Sequence, residues 1–143
     1  MNNLETAKGA LNRAKGWHKG ALRAFNDKRW DDVIYSYQMT IEQALKAILI
    51  LYGIEYPKKH DISKEYKILK DQEVPKWFLD KIDNQSKILK ELTNKRGLSA
   101  YGYVDGIVKD DFKEAAKSFK KFVKEILEDC EILINEFSTK NTE

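Results

Sequence analysis

The sequence predicts an all-α protein: an up-down bundle of four long helices with a short helix in the middle connection. Three observations carry that expectation. Only two prolines and seven glycines occur in 143 residues, too few for a turn-rich β fold. Apolar residues recur at i, i+3 and i+4 in several long stretches, the spacing of a helix with one buried face. The last of these stretches keeps its stripe for about seven turns, from Phe112 to Phe137.

The first helix is read over Leu4 to Phe25, on Leu4, Ala7, Leu11, Ala14, Trp17 or His18, Ala21, Leu22 and Phe25. Its buried face is rich in alanine and suits close packing. Asn26-Asp27 supplies the break. The second helix begins near Trp30, with Asp31 and Asp32 at the positive end of its dipole. Ile34, Tyr37, Ile41, Ala44, Leu45, Ile48 and Tyr52 form one face, and Val33, Ala47, Leu49 and Leu51 widen it. A helix apolar over so much of its circumference is expected at the centre of the bundle. Glu42 and Lys46, four apart, are expected to pair across its remaining exposed strip. Gly53 is placed as the left-handed cap that ends this helix, and Pro57 prevents its resumption.

A weaker pattern from Asp61 to Gln72 suggests a short helix. Val74-Pro75 opens another long one, carried by Trp77, Phe78, Ile82, Ile88, Leu89 and Leu92 to about Lys95. Between Arg96 and Lys109 three glycines and no helical period predict a loop, unusual for holding Tyr101 and Tyr103. The last helix follows, with Asp110 and Asp111 as cap and first-turn charge. Its stripe includes Phe119, Phe122 and Cys130, and a polar tail over 138–143 is expected to fray. With no internal repeat or low-complexity segment, residues 1–143 are taken as one domain with its core at about 4–137.

Composition narrows the functional classes. A net charge of +3 does not by itself announce a nucleic-acid binder. Cys130 is the sole cysteine, so no intrachain disulfide forms, and the thiol is expected buried and inert. The longest apolar run, Ala47 to Ile54, is far shorter than the ~18 residues of a membrane span. With no apolar signal core at the N-terminus, a cytoplasmic location is expected. Two separated histidines without an acidic cluster give no metal site, and no cofactor motif is present.

The run YSYQMTIEQALKAILILYGIEYPKKHDI, with Gln43-Ala44-Leu45-Lys46-Ala47 in the helix and His60-Asp61-Ile62 after it, resembles the second helix and following turn of HEPN domains. Trp30-Asp31-Asp32 and the arginine at position 96 add to the likeness, which covers about residues 4–137 and points to small stand-alone members. The resemblance implies an up-down bundle, usually homodimeric, in a family whose members bind nucleotides, cut RNA, or act as toxins partnered by minimal nucleotidyltransferases. Ribonuclease members carry an arginine, four to six residues, then a histidine. Arginine can neutralise a phosphate and histidine can move a proton near neutral pH. This chain departs from the pattern, because tyrosine or glycine stands at each position where the histidine is due after Arg96. Tyrosine, with an unperturbed pKa of about 10, is a poor proton acceptor at pH 7.

The resemblance with this departure implies a binding module without catalysis of its own, taking a nucleotide, RNA or a nucleotidyltransferase partner. The alternative is a metal-independent ribonuclease or toxin with Arg96 on the scissile phosphate and Tyr101 or Tyr103 in support. Arg96 either holds a phosphate or neutralises a helix end. Lys95 either adds charge or is solvated, and Tyr101 and Tyr103 either pack the loop or contact a ligand or partner. Tyr103 also stands where some toxin members carry a modified tyrosine. His60 and Asp61 are read as structural, Asp61 capping the short helix and His60 bonding a backbone carbonyl. His18 is expected half-buried. Lys113, Lys117, Lys120, Lys121 and Lys124 form either a footprint for RNA phosphates or a solvated face, with Glu114, Glu125 and Glu128 interleaved.

Overall fold

A computed structural model describes residues 2–99 and 109–142, with side chains for 2–97 and 112–140. The chain forms α1 (Asn3–Asn26), α2 (Trp30–Leu51), α3 (Ser63–Tyr66), a 3₁₀ turn (Lys67–Asp71), α4 (Lys76–Leu79), α5 (Ile82–Ser99) and α6 (Lys109–Thr142). No strand occurs among the described residues. The fold is the all-α helical bundle that the periodicity predicts.

Contacts across the bundle fix its register. Lys8 Nζ donates to Ser138 Oγ at 3.1 Å and Lys15 pairs with Glu131, while Lys120 lies 4.4 Å over the Phe25 ring. These pairs make α1 antiparallel to α6. Tyr52 meets Phe137 edge to face, so α2 runs with α6. Arg96 reaches back to Gln38, and Lys81 reaches Asp129, so α5 runs against both. α2 is the shared wall, touching α1, α5 and α6, and Ile34, Tyr37, Ile41, Leu45, Ile48 and Leu49 are wholly buried along it. The alanines Ala7, Ala14, Ala21 and Ala24 are the buried face of α1, as the small-residue pattern requires.

Both ends of the α1–α2 hairpin use the same stop. After α2, Gly53 has φ +68, its N–H donates to Ile50 O at 3.0 Å, and the Ile54 N–H donates to Leu49 O at 2.9 Å. That pair of bonds is the left-handed cap expected of the glycine. After α1, Lys28 takes φ +60 and the same two bonds form, from Lys28 N to Phe25 O and from Arg29 N to Ala24 O. Here a residue with a β-carbon holds the conformation that favours glycine.

Several expectations are corrected. The segment read as one helix to about Lys95 breaks after α4. Trp77 Nε1 donates to Glu136 at 3.3 Å and Lys81 to Asp129 at 3.0 Å, tying this turn to α6, whereas α5 leans on α2 and α3. One straight helix cannot serve both directions. α5 then continues through Ser99, so Arg96 lies within its last turn instead of opening a loop. Asp110 and Asp111 both fall inside the first turn of α6, as expected of first-turn charge but not of a cap, and the tail stays helical to Thr142. Phe122 is 42% exposed and leaves the stripe, which Phe119, Val123, Ile126 and Cys130 carry inward.

Candidate functional site

The one extended polar network inside the described bundle runs from the turn after α2 to the end of α5. Glu42 is its centre. On α2 it sits one turn after Gln38 and one turn before Lys46, so all three share a stripe of the helix. Its side chain is 3% exposed, and Lys46 beside it is 13% exposed. Gln38 Nε2 donates to Glu42 Oε1 at 2.8 Å, Lys46 Nζ donates to Oε2 at 2.9 Å, and His60 Nδ1 stands 2.9 Å from Oε1. The pair expected on an exposed strip is therefore a buried one. The reason is that the loop returning through Tyr56 and His60 covers this stripe, with Lys46 5.4 Å over the Tyr56 ring.

Burial alone would push the Glu42 carboxyl up. The hydrogen bonds from Gln38, Lys46 and His60, with the Lys46 charge, outweigh it and hold the carboxyl below the usual glutamate value. His60 thus engages a carboxylate and not the backbone carbonyl expected for it. The ring keeps 57% of its side-chain surface exposed. Asp61 accepts the Ser63 N–H at 2.9 Å, which fixes the entry to α3.

Gln38 links this carboxylate to Arg96. Its Oε1 accepts from Arg96 Nη1 at 2.7 Å, and the same nitrogen lies 3.6 Å from Met39 Sδ. The guanidinium stacks 4.2 Å over the face of Tyr35, whose ring in turn lies 5.9 Å from Trp17. A planar cation clamped on one edge and one face is held in orientation. The chain His60–Glu42–Gln38–Arg96–Tyr35 thus joins the site candidates His60 and Arg96 through Glu42, expected only as a surface partner of Lys46, and through Gln38 and Tyr35, which the sequence reading did not single out. Gln38 carried a usable signal, since a glutamine on the apolar face of a central helix demands a partner.

The remaining candidates separate. Lys95 is half-buried beside Arg96, with no ion pair among the described residues. Tyr101 and Tyr103 lie outside the described residues. Of the lysines on α6, Lys117, Lys120, Lys121 and Lys124 are exposed, and two of them sit near Glu125 and Glu128 at 3.8–4.0 Å, the arrangement of a solvated face. His18 is half-buried, and burial is the main cause that lowers its pKa, partly opposed by Glu128. Cys130 is fully buried, which pushes its thiol far up. Among the described residues no cluster of His, Cys, Asp and Glu suits a metal ion, and no helix is long and apolar enough to cross a membrane.

Compared with known proteins, residues 7–133 match the family model described as the HEPN domain. No curated protein and no solved structure matches the chain.

Proposed function

Since the chain belongs to the HEPN domain family, we propose that it is a homodimeric binding module whose Arg96 end receives a phosphate of a nucleotide or of RNA without cutting it. The observation that carries this reading is the clamp on Arg96, between Gln38 Oε1 at 2.7 Å and the Tyr35 ring at 4.2 Å. A guanidinium presents its N–H donors in one fixed plane, the geometry that matches a pair of phosphate oxygens. Fixing its plane beforehand removes part of the ordering cost of binding. Lys95 adds charge next to it, and Tyr101 and Tyr103 follow close enough in sequence to contribute rings to the same ligand. A nucleotidyltransferase is the protein partner this reading admits. A reducing cytoplasm suits the buried thiol.

The test is a titration of labelled single-stranded RNA and of ADP into wild type and Arg96→Ala. A charge-assisted hydrogen bond is worth about 1.5–3 kcal/mol, so roughly tenfold to hundredfold weaker binding is expected. Equal binding by both proteins, or none by wild type, ends the proposal.

One observation favours a second reading, a metal-independent ribonuclease. His60 lacks the family's spacing from Arg96, yet Glu42 and Gln38 connect the two. A histidine whose ring nitrogen faces a carboxylate is a proton carrier held in one orientation. On that reading wild type cleaves RNA in chelator, and both His60→Gln and Arg96→Ala abolish the cleavage.

A further inference from the structure

A second polar feature lies away from Arg96. Between α3, the following 3₁₀ turn and the first half of α5 runs a groove of about 420 Å³, lined by Ser63, Lys64, Lys67, Asp83, Ser86, Lys87 and Lys90. Four lysines against one aspartate give the lining a charge of +3, equal to the net charge of the whole chain. The aspartate offsets only part of that charge: it feels Lys67, but its close partner is another lysine. Asp83 is taken by Lys70 at 2.5 Å, from outside the lining. Lys64, Lys67 and Lys90 have no carboxylate within ion-pair distance among the described residues, and Lys87 has only Glu91 at 4.0 Å.

The independent sign of a ligand is Ser86. It is 2% exposed, it lines the groove, and its Oγ has no hydrogen-bond partner among the described residues. A helical serine ordinarily returns its hydroxyl to the carbonyl one turn back, yet Ser86 makes no such bond. A buried donor left unmade is unfavourable unless something else accepts from it. A partner that suits both a ring of ammonium groups and a single hydroxyl donor is a compact polyanion of acceptor oxygens.

We propose that this groove is a binding site for the phosphate chain of a small molecule, with Lys64, Lys67, Lys87 and Lys90 surrounding the phosphates and Ser86 Oγ donating to one oxygen. Ser86 and Arg96 are ten residues apart on α5, about 15 Å along the helix. The two sites are separate, and this inference does not rest on the Arg96 reading. A phosphate chain fits better than a nucleic-acid strand because the groove, at about 420 Å³, has the size of a small-molecule site.

The experiment is calorimetric titration of inorganic pyrophosphate, ADP and a short single-stranded RNA into wild type, Lys67→Ala/Lys90→Ala and Ser86→Ala. Pyrophosphate is expected to bind this groove once per chain in wild type and equally in Arg96→Ala, at least tenfold more weakly in the double variant and several-fold more weakly in Ser86→Ala. ADP binding equally well shows that the phosphates alone are read. ADP binding more tightly shows the nucleoside adding contacts at the same groove. Both support the site provided the lysine variant loses them. Because its hydroxyl has no partner, Ser86→Ala is expected to keep or raise the melting temperature while losing affinity, a combination that a merely structural serine would not give. Pyrophosphate binding unchanged in both variants, lost instead on Arg96→Ala, or absent while RNA binds, overturns the proposal.

Discussion

Glu42→Gln is the sharpest probe of the network that holds Arg96. The substitution keeps the volume of the side chain and removes its charge. In the native protein the carboxylate faces donors on three sides, at 2.8, 2.9 and 2.9 Å from Gln38, Lys46 and His60. An amide must turn its own donor toward one of them. Lys46, with 13% of its side chain exposed, is left as a largely buried charge without a counter-ion. Breaking such a pair from one side costs about 3–5 kcal/mol. The amide keeps one acceptor oxygen, so the low end of that range, about 3 kcal/mol, is expected. At roughly 2–4 °C per kcal/mol for a chain of this size, melting should fall by roughly 6–12 °C.

Urea unfolding at neutral pH measures this directly, and Glu42→Gln/Lys46→Met provides the companion. Removing both charges leaves no unpaired ion, so the double variant should recover at least half of the loss. The pH dependence gives a second arm. The native carboxyl titrates below its unfolded value of 4.5, so the unfolded chain binds the proton first as pH falls. The stabilisation is complete above pH 4.5 and is lost as pH falls through the lowered native value. The difference in stability between wild type and Glu42→Gln should therefore shrink on acidification below about pH 4.5. A loss under about 1 kcal/mol at pH 7, or a difference that does not shrink in acid, refutes the account of Glu42 as a charged centre.

Two further outcomes follow from the backbone and the core. Lys28→Gly should stabilise the protein by about 1 kcal/mol, because the position holds φ +60 at a left-handed cap where a β-carbon is unfavourable; a lowered urea midpoint would contradict it. Cys130 should resist a thiol reagent such as DTNB in the native state and react fully in denaturant, since burial both blocks access and raises the thiol pKa; rapid native labelling would show that α6 opens.

Much of the fold was legible because helical periodicity reports burial directly. The starts of α1 and α2 and the left-handed Gly53 follow from residues within one turn of each feature. The misreadings have a common cause, which is tertiary context. A glutamate four residues before a lysine is the ordinary signature of a solvated strip, and nothing local says that a loop eighteen residues on will cover it. Arg96 followed by Gly97 looks like a helix end, yet α5 continues through Ser99 and Gly97 is exposed within its last turn. Arg96 itself was identifiable from the family pattern. Its clamp was not, because Gln38 lies 58 positions earlier and Tyr35 on the helix turn before it. The groove at Ser86 was silent, since its four lysines come from two segments that read as unrelated surface.

The pairing of Lys8 with Ser138 has a practical use. It brings the start of α1 and the last turns of α6 to one end of the bundle, while Gln38 and Arg96 meet nearer the other. From the level of Tyr52 and Phe137 to that of Gln38 is fourteen residues of α2, about 21 Å along the axis. A dye or affinity handle attached at the start of α1 or in the last turns of α6 therefore stands clear of Arg96. The same closeness permits a circular permutation: a short linker from the last helix to the first, with the chain reopened between α1 and α2, would keep every helix beside its present neighbours.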